Sequence, residues 1–494
     1  MKEKSLLKNS IYKAILTIVD LVIPIFIGPY IARILDVNLY GTYNKIYSEM
    51  QVFLVFAGFG IYNYGVREIS KIRNNKEKVS KLFTNLFIFS LITNLICLMI
   101  FLIYGFTSSS GIATSIYFLV AIQIVANIFY MEFVNEALEN YSFITIKGVI
   151  VKILYFLLLI IFVKKPEDIL LYALIVGITV FLNYIISFIY IKKKIKFNFK
   201  KVKLKKYIKP LIYVLIINNV SLLYAQLDKI MLGQFVDGVS VTIYYISYYI
   251  VTTITSIPAA MIYVAIPRVS YLLENKNSKE HDELINKILS TFLMFVIPMC
   301  IGMFVLTREI ITIYGSDKYL GAIIPFYIIC CFRIITCIGF LFVQLIFYPS
   351  GNEKKYIKFS LLCGILNAGL NTLLVIFKVF NPATAILTTG ISETILFILE
   401  LIYIKVKMKL EISLLNKNYI KYFITSMLFI PIAIIIKKIN LGIMFNAILI
   451  VGICGSLYFL MLYLTRDENY NYIISKLPLK NIKKLLMRKE INNG

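Results

Sequence analysis

Long apolar runs alternate with short polar gaps along almost the whole chain. Runs of about 20 predominantly apolar residues are long enough to cross a bilayer as helices. About fourteen are readable, near 11–34, 40–66, 82–106, 112–136, 144–163, 169–191, 208–236, 241–267, 287–307, 321–349, 359–377, 383–404, 421–436 and 441–464. The pattern predicts an all-α polytopic membrane protein. Pro24, Pro29, Pro258, Pro298 and Pro325 fall inside runs, where they kink helices whose neighbours re-satisfy the freed carbonyls.

The first run follows Lys2, Lys4 and Lys8 and so has the outline of a signal peptide. It is longer than the roughly 7–15 residues of a signal h-region, and no A-x-A site follows it. The expectation is an uncleaved first transmembrane helix.

Composition agrees with the runs. Sixty per cent of residues are hydrophobic and 16% charged, and the mean hydropathy is +0.82, whereas a soluble domain has roughly 25% charged residues. Tryptophan is absent, so the interfacial belt falls to some of the 36 tyrosines.

Charge then orients the runs. Roughly 40 of the 52 lysines and arginines lie in every second gap or in the tails. The basic gaps are 67–81, 192–209, 354–358 and 405–421, with the tail to 489. The other gaps hold only about seven, among them Lys164, Lys165, Lys437 and Lys438. Both termini are therefore expected in the cytoplasm, with 192–209 lying on the anionic inner leaflet. The net charge of +26 does not indicate nucleic acid, because the bases sit beside apolar spans and not in a groove of a soluble fold.

A shift of about 201 residues superposes spans one and two on spans seven and eight without gaps. Lys8 meets Lys209, Asp36 meets Asp237, Tyr43 meets Tyr244, Tyr47 meets Tyr248 and Arg67 meets Arg268. Six spans separate the copies, so the repeat is parallel, about an axis along the membrane normal. The expected organisation is an N-terminal lobe over 1–206 and a C-terminal lobe over 207–410. Two added spans over 411–464 and a basic cytoplasmic tail over 465–494 complete it. Two such six-helix lobes enclose a central cavity and work by rocking.

The seven cysteines lie within apolar runs and form no C-x-x-C pair. His281, beside Glu280, Asp282 and Glu283, reads as a solvated loop residue. No metal, cofactor or nucleophile constellation is present. The chain is not read as an enzyme, and neither catalytic residues nor cofactors are expected.

What remains are charges kept inside spans at about 2.5–3.5 kcal/mol each. They are Asp20, Arg33, Lys45, Glu49, Glu132, Lys152, Asp228, Lys229, Arg333, Glu393 and Glu400. Lys45 and Glu49 are spaced i, i+4 and can pair. Arg33, Asp228 and Glu400 stand near span ends, where snorkelling costs little. A cavity with several cations suits a phosphate or pyrophosphate headgroup. Lys45, Lys152, Lys229 and Arg333 are the candidates for it, with Asp20, Arg33, Glu49 and Asp228 as gate or pairing residues. Asn367, Asn371, Asn218 and Asn219 could hydrogen-bond sugars, although such residues more often pin helices together. Tyr244 and Tyr248, with Tyr245 and Tyr249, form two i, i+4 pairs that offer either a sugar platform or packing.

At Tyr30-Ile-Ala-Arg33-Ile-Leu-Asp36-Val-Asn-Leu-Tyr40-Gly41-Thr-Tyr43 the chain resembles the polysaccharide transporter family. These are the Wzx-type oligosaccharide-lipid flippases, within the multidrug/oligosaccharidyl-lipid/polysaccharide exporter superfamily. Glu139-Asn-Tyr-Ser-Phe-Ile-Thr-Ile146, Asp228-Lys-Ile-Met-Leu-Gly233 and Pro349-Ser-Gly-Asn-Glu-Lys354 agree in the expected order. Asp36 stands where the family has glycine, and the tryptophan that often precedes the Glu139 stretch is missing.

The resemblance implies two six-helix lobes around a cavity plus two helices. It implies a polyprenyl-pyrophosphate-linked oligosaccharide cargo moved from inner to outer leaflet, with polysaccharide polymerase and assembly proteins as partners. Moving about two negative charges outward across an inside-negative membrane is favourable by roughly 4–5 kcal/mol per 100 mV. Three alternatives stay open: a drug/cation antiporter, which needs a dominant acidic site; a lipid II-type flippase; and a membrane scaffold whose charges join helices.

Overall fold

The computed structural model describes residues 6–200, 202–274, 278–414, 416–439 and 441–476, which contain helices and no strand. The basic tail beyond 476, Lys2 and Lys4, and the side chains of Lys8, Asn218 and Asn219 lie outside the described residues. The helices are α1 (Leu6–Ile34), α2 (Val37–Gly58), α3 (Ile61–Ile72), α4 (Lys76–Ser108), α5 (Ile112–Asn127), α6 (Glu132–Ala137), α7 (Tyr141–Phe162) and α8 (Ile169–Lys194). After them come α9 (Lys205–Phe235), α10 (Gly238–Glu274), α11 (Ser278–Val305), α12 (Thr307–Gly315), α13 (Ile323–Phe342), α14 (Glu353–Ile376) and α15 (Pro382–Tyr403). The last are α16 (Lys417–Met427), α17 (Phe429–Ile439), α18 (Ile443–Leu464) and α19 (Glu468–Lys476).

Among the described residues, 12 helical segments are long and apolar enough to cross a membrane, against about fourteen expected. The chain is a multi-pass membrane protein. The expected spans near 40–66 and 208–236 are helical, as α2 and α9, but are not among the 12. Asn44, Lys45, Ser48, Glu49 and Gln51 dilute the apolar character of α2.

The polarity is inverted relative to a soluble fold. Outward-facing side chains are apolar, with Val264 82% exposed and Phe106 71%. Asn85, Asn94, Ser90 and Thr84 are buried instead. Between helices in lipid, where apolar burial drives little, such polar groups and close backbone packing provide the cohesion.

Two runs that read as single spans are broken. The run near 40–66 divides into α2 and α3 at Phe59 (φ 45°) and Gly60 (φ 73°). The run near 112–136 divides into α5 and α6 across residues 128–131. Interrupted backbone in lipid needs replacement partners. At the first break Ala57 O accepts from Thr93 Oγ1 at 2.7 Å and from Asn94 Nδ2 at 3.2 Å. Two other helices change pitch instead of breaking: α13 runs on into a π-helical turn, Val343–Phe347, and α15 into another, Ile404–Met408.

The repeat reappears in local geometry. Asp36 caps α2 by accepting from Leu39 N at 2.9 Å, and its repeat mate Asp237 accepts from Ser240 N at 2.7 Å. The arginines Arg67 and Arg268 do not repeat their surroundings, since Arg67 lies over Tyr64, three residues before it (5.7 Å), and Arg268 over Tyr271, three residues after it (5.5 Å). His281 departs from expectation. It is 1% exposed, with Nδ1 2.9 Å from Asp282 Oδ1, because α11 begins at Ser278 and carries it onto a packed face.

The chain forms two compact units: residues 1–246, 314–321 and 360–388, and residues 247–313, 322–359 and 389–494. In the first, Tyr40, Tyr43 and Tyr172 meet edge-to-face within a core of α1, α2, α5 and α8 residues. A second core joins α3, α4 and α6, where Phe83 stacks on Phe197 at 5.3 Å. In the second unit, Tyr458 OH donates to Met294 O at 2.7 Å and Lys437 pairs with Glu309 at 3.0 Å. These contacts tie α18 and α17 to α11 and α12.

Candidate functional site

Two candidate residues of the first unit, Lys45 and Glu49, lie on α2. Near its start, Gly41 lies against Gly238, the first residue of α10. A Cβ on Gly41 would stand 1.6 Å from Gly238 O, and one on Gly238 2.5 Å from Asn38 O, so only glycine fits at either place. Thr242 Oγ1 donates to Val37 O at 2.8 Å across the same crossing. The two repeat-related, Asp-capped helix starts are therefore in backbone contact.

One turn further, Lys45 and Glu49 pair at 3.6 Å, as their spacing predicts. Glu49 is buried and held from two other helices: Tyr104 OH donates to Oε1 at 3.3 Å and Tyr117 OH donates to Oε2. Lys45 is 21% exposed, and its stem packs where a Cβ on Gly233 would lie 2.6 Å from Lys45 Cδ. Gly233 is one turn from Lys229 on the same face of α9. The structure thus brings Lys45 to the helix face that carries Lys229. The carboxylate is held by two phenols as well as by Lys45.

Asp228 is buried, unlike a snorkelling residue. Its Oδ2 accepts from Tyr244 OH at 2.7 Å and its Oδ1 from Asn371 Nδ2 at 2.6 Å. Asn371 also donates to Asn367 Oδ1 (3.3 Å) and accepts from Thr388 Oγ1 (2.6 Å). Tyr244, Asn367 and Asn371 are buried, with these hydrogen bonds joining α9, α10, α14 and α15. Lys152 forms an ion pair with Asp20, and both side chains are part-exposed. Arg33 is exposed, and Lys318 Nζ donates to its carbonyl at 3.0 Å.

In the second unit, Arg333 is half-buried; its Nε donates to Thr255 Oγ1 at 2.8 Å and its Nη1 to Thr336 Oγ1 at 3.2 Å. Glu393 and the half-buried Tyr248 interact with it electrostatically. Glu400 is 1% exposed, so it too is no snorkeller.

Sequence reasoning found Glu132 and missed its partner. Lys147, buried near the start of α7, donates to Glu132 Oε2 at 3.1 Å, to Ser187 Oγ at 2.7 Å and to Asn183 O at 3.1 Å. The usable signal was the unmatched carboxylate: intramembrane charges come in pairs, and Lys147 is an intramembrane lysine of the next span. Close by, the breaks between α2 and α3 and between α5 and α6 face one cavity of about 160 Å³. Gly58, Gly60, Asn63, Ser90, Asn127 and Tyr130 contribute to its wall. Outside the spans, Lys164 and Lys165 N–H donate to Asp168 Oδ2 at 2.8 Å each and hold its carboxyl below the usual range.

A family model described as polysaccharide biosynthesis protein matches residues 6–273. No curated protein matches the chain by sequence. Among solved structures, lipid II flippase MurJ in an inward closed conformation superposes with a TM-score of 0.70 at 17% identity. That match covers 92% of this chain and 100% of the other. The MATE multidrug transporter DinF-BH gives 0.58 at 17%, covering 82% and 95%. An inward-facing multidrug resistance MATE family transporter of the MOP superfamily gives 0.55 at 11%, covering 79% and 98%. At these identities the likeness shows the fold.

Proposed function

The chain belongs to the polysaccharide biosynthesis protein family, and from that premise we propose that it is a flippase for polyprenyl-pyrophosphate-linked oligosaccharide. The cargo crosses from inner to outer leaflet by alternating access between lobes 1–206 and 207–410, with both termini cytoplasmic. The observation that carries the reading is the pairing pattern of the intramembrane lysines. Lys45 and Lys152 each hold one carboxylate and keep part of their surface exposed, and Lys45 packs one turn from Lys229. Such ammonium groups can exchange a carboxylate for a diphosphate, and Arg333, bonded to two neutral hydroxyls, adds a guanidinium fork. The cations stay with the protein while the anion leaves, so the membrane potential favours outward movement.

The test is the Lys152→Ala/Arg333→Ala double variant in sealed vesicles, with the lipid-linked oligosaccharide assayed on each face. Movement falls at least tenfold while the variant inserts normally. Full activity in the double variant rules out the anion mechanism. A drug/cation antiporter is the second reading, favoured by the buried Asp228. It predicts that Asp228→Asn abolishes transport of an organic cation and leaves glycolipid movement intact.

A further inference from the structure

The seam between α13 and α15 holds a carboxyl group that the transport reading does not use. Glu400 lies eight residues before the end of the span Pro382–Met408, about 12 Å in at 1.5 Å per residue. It is 1% exposed, and its Oε2 is buried without a hydrogen-bond partner. Among the described residues it makes no ion pair; its charged neighbour is Glu393, two turns away on its own helix. From α13 it is faced by Gly339, where a Cβ would lie 3.2 Å from Oε2. The cation of α13, Arg333, interacts with Glu393, as does the thiol of Cys337.

The seam around it is closely packed and apolar. Phe342 stacks on Phe397 at 5.8 Å and Phe347 on Tyr403 at 5.7 Å. A Cβ on Gly390 would meet the Phe332 ring at 2.5 Å. Glycines on both helices thus allow the approach. One turn beyond Gly339 and one turn beyond Glu400, both helices pass into π-helical turns, a feature often found at functional sites.

An ionised carboxylate without a cation or donor in such a place costs several kcal/mol, and the group takes up a proton instead. A metal ion does not meet the same need. Sodium- or calcium-like ions require several oxygens, and the wall facing Oε2 is glycine with phenyl rings beside it. We infer that Glu400 is a proton-binding site of the α13–α15 seam, occupied while the seam is packed and emptied when it opens to water. The site holds its proton whatever cargo the protein carries.

The test is infrared difference spectroscopy on the full chain in detergent at pH 7. Wild type minus Glu400→Gln shows one protonated-carboxyl carbonyl band, with at least ten parts acid to one part carboxylate. Glu400→Asp shifts that band without removing it. A difference spectrum that instead shows a lost carboxylate band overturns the proposal. Gly339→Val wedges the seam and lowers the protonated fraction at least tenfold; an unchanged band in that variant overturns the link to opening. These readouts need no cargo, so they stand apart from any failure of the flippase assay.

Discussion

The two ends of α2 are built on opposite rules. At the Asp36 end the helix is capped, and Gly41 presses against the Gly238 carbonyl of α10 with no room for a methyl group. At the Gly58 end the chain turns through positive φ at Phe59 and Gly60, and the Ala57 carbonyl is satisfied by Thr93 and Asn94 side chains beside a cavity of about 160 Å³. A cap and unbroken helix mark one end, and a broken backbone satisfied by side-chain hydrogen bonds marks the other. In lipid both are permitted, and each end also lies against another helix, α10 at Gly41 and the α9 backbone at Gly60, the first contact being the tighter. The helix therefore joins a tight crossing to a broken joint, with Lys45 and Glu49 between them.

The largest effect is expected from Gly41→Val. Its Cβ would overlap Gly238 O, so the crossing must part, an overpacking cost of about 3 kcal/mol or more. With Thr242→Cys as reporter, a position 0% exposed at the crossing, labelling at position 242 by a water-soluble thiol reagent rises at least tenfold, read by peptide mass. Gly302→Ala, where a Cβ meets nothing within 4 Å, leaves labelling unchanged. Equal labelling in both variants would remove the claim that contact closes this end.

Much of this contrast was legible in the sequence at one end only. Asp36 and Asp237 fell in register under the 201-residue shift and prove to be equivalent caps, and the i, i+4 spacing foretold Lys45–Glu49. The breaks were not visible, because Gly58-Phe-Gly60 lies inside an apolar run and hydropathy averages over a single positive φ. The Lys152–Asp20 pair joins residues distant in sequence and is set by how α1 and α7 pack. His281 was misplaced because its acidic neighbours read as solvated although α11 starts before them.

The joint end is anchored one step further along, where α6 starts at Glu132. Removing Lys147 leaves a buried carboxylate unpaired, so Lys147→Ala destabilises by about 3 kcal/mol, measured as detergent-solubilised unfolding. Lys147→Met with Glu132→Leu recovers most of the loss, because uncharged side chains leave no charge to compensate. A double variant as unstable as the single one would mean that the pair itself, and not the orphaned charge, sets the cost. The broken helices would then be tied more firmly than the contrast allows.

The smallest effect is expected from Gly60→Ala. It adds the same methyl group that Gly41 cannot accept, but where the obstacle is a left-handed φ of 73° and Leu215 N at 2.8 Å. An L-residue in that conformation costs about 1–2 kcal/mol, roughly a tenfold change in a local opening equilibrium. Amide exchange at Phe59 and Ile61 therefore rises about tenfold, while position 242 stays protected. The added methyl group also presses on the α9 backbone, against Leu215 N at 2.8 Å and Leu211 O at 2.9 Å, a milder overlap than the 1.6 Å at Gly41. If Gly60→Ala also exposed position 242, α2 would be transmitting strain as a rigid rod, and its two ends would have to be treated as one device.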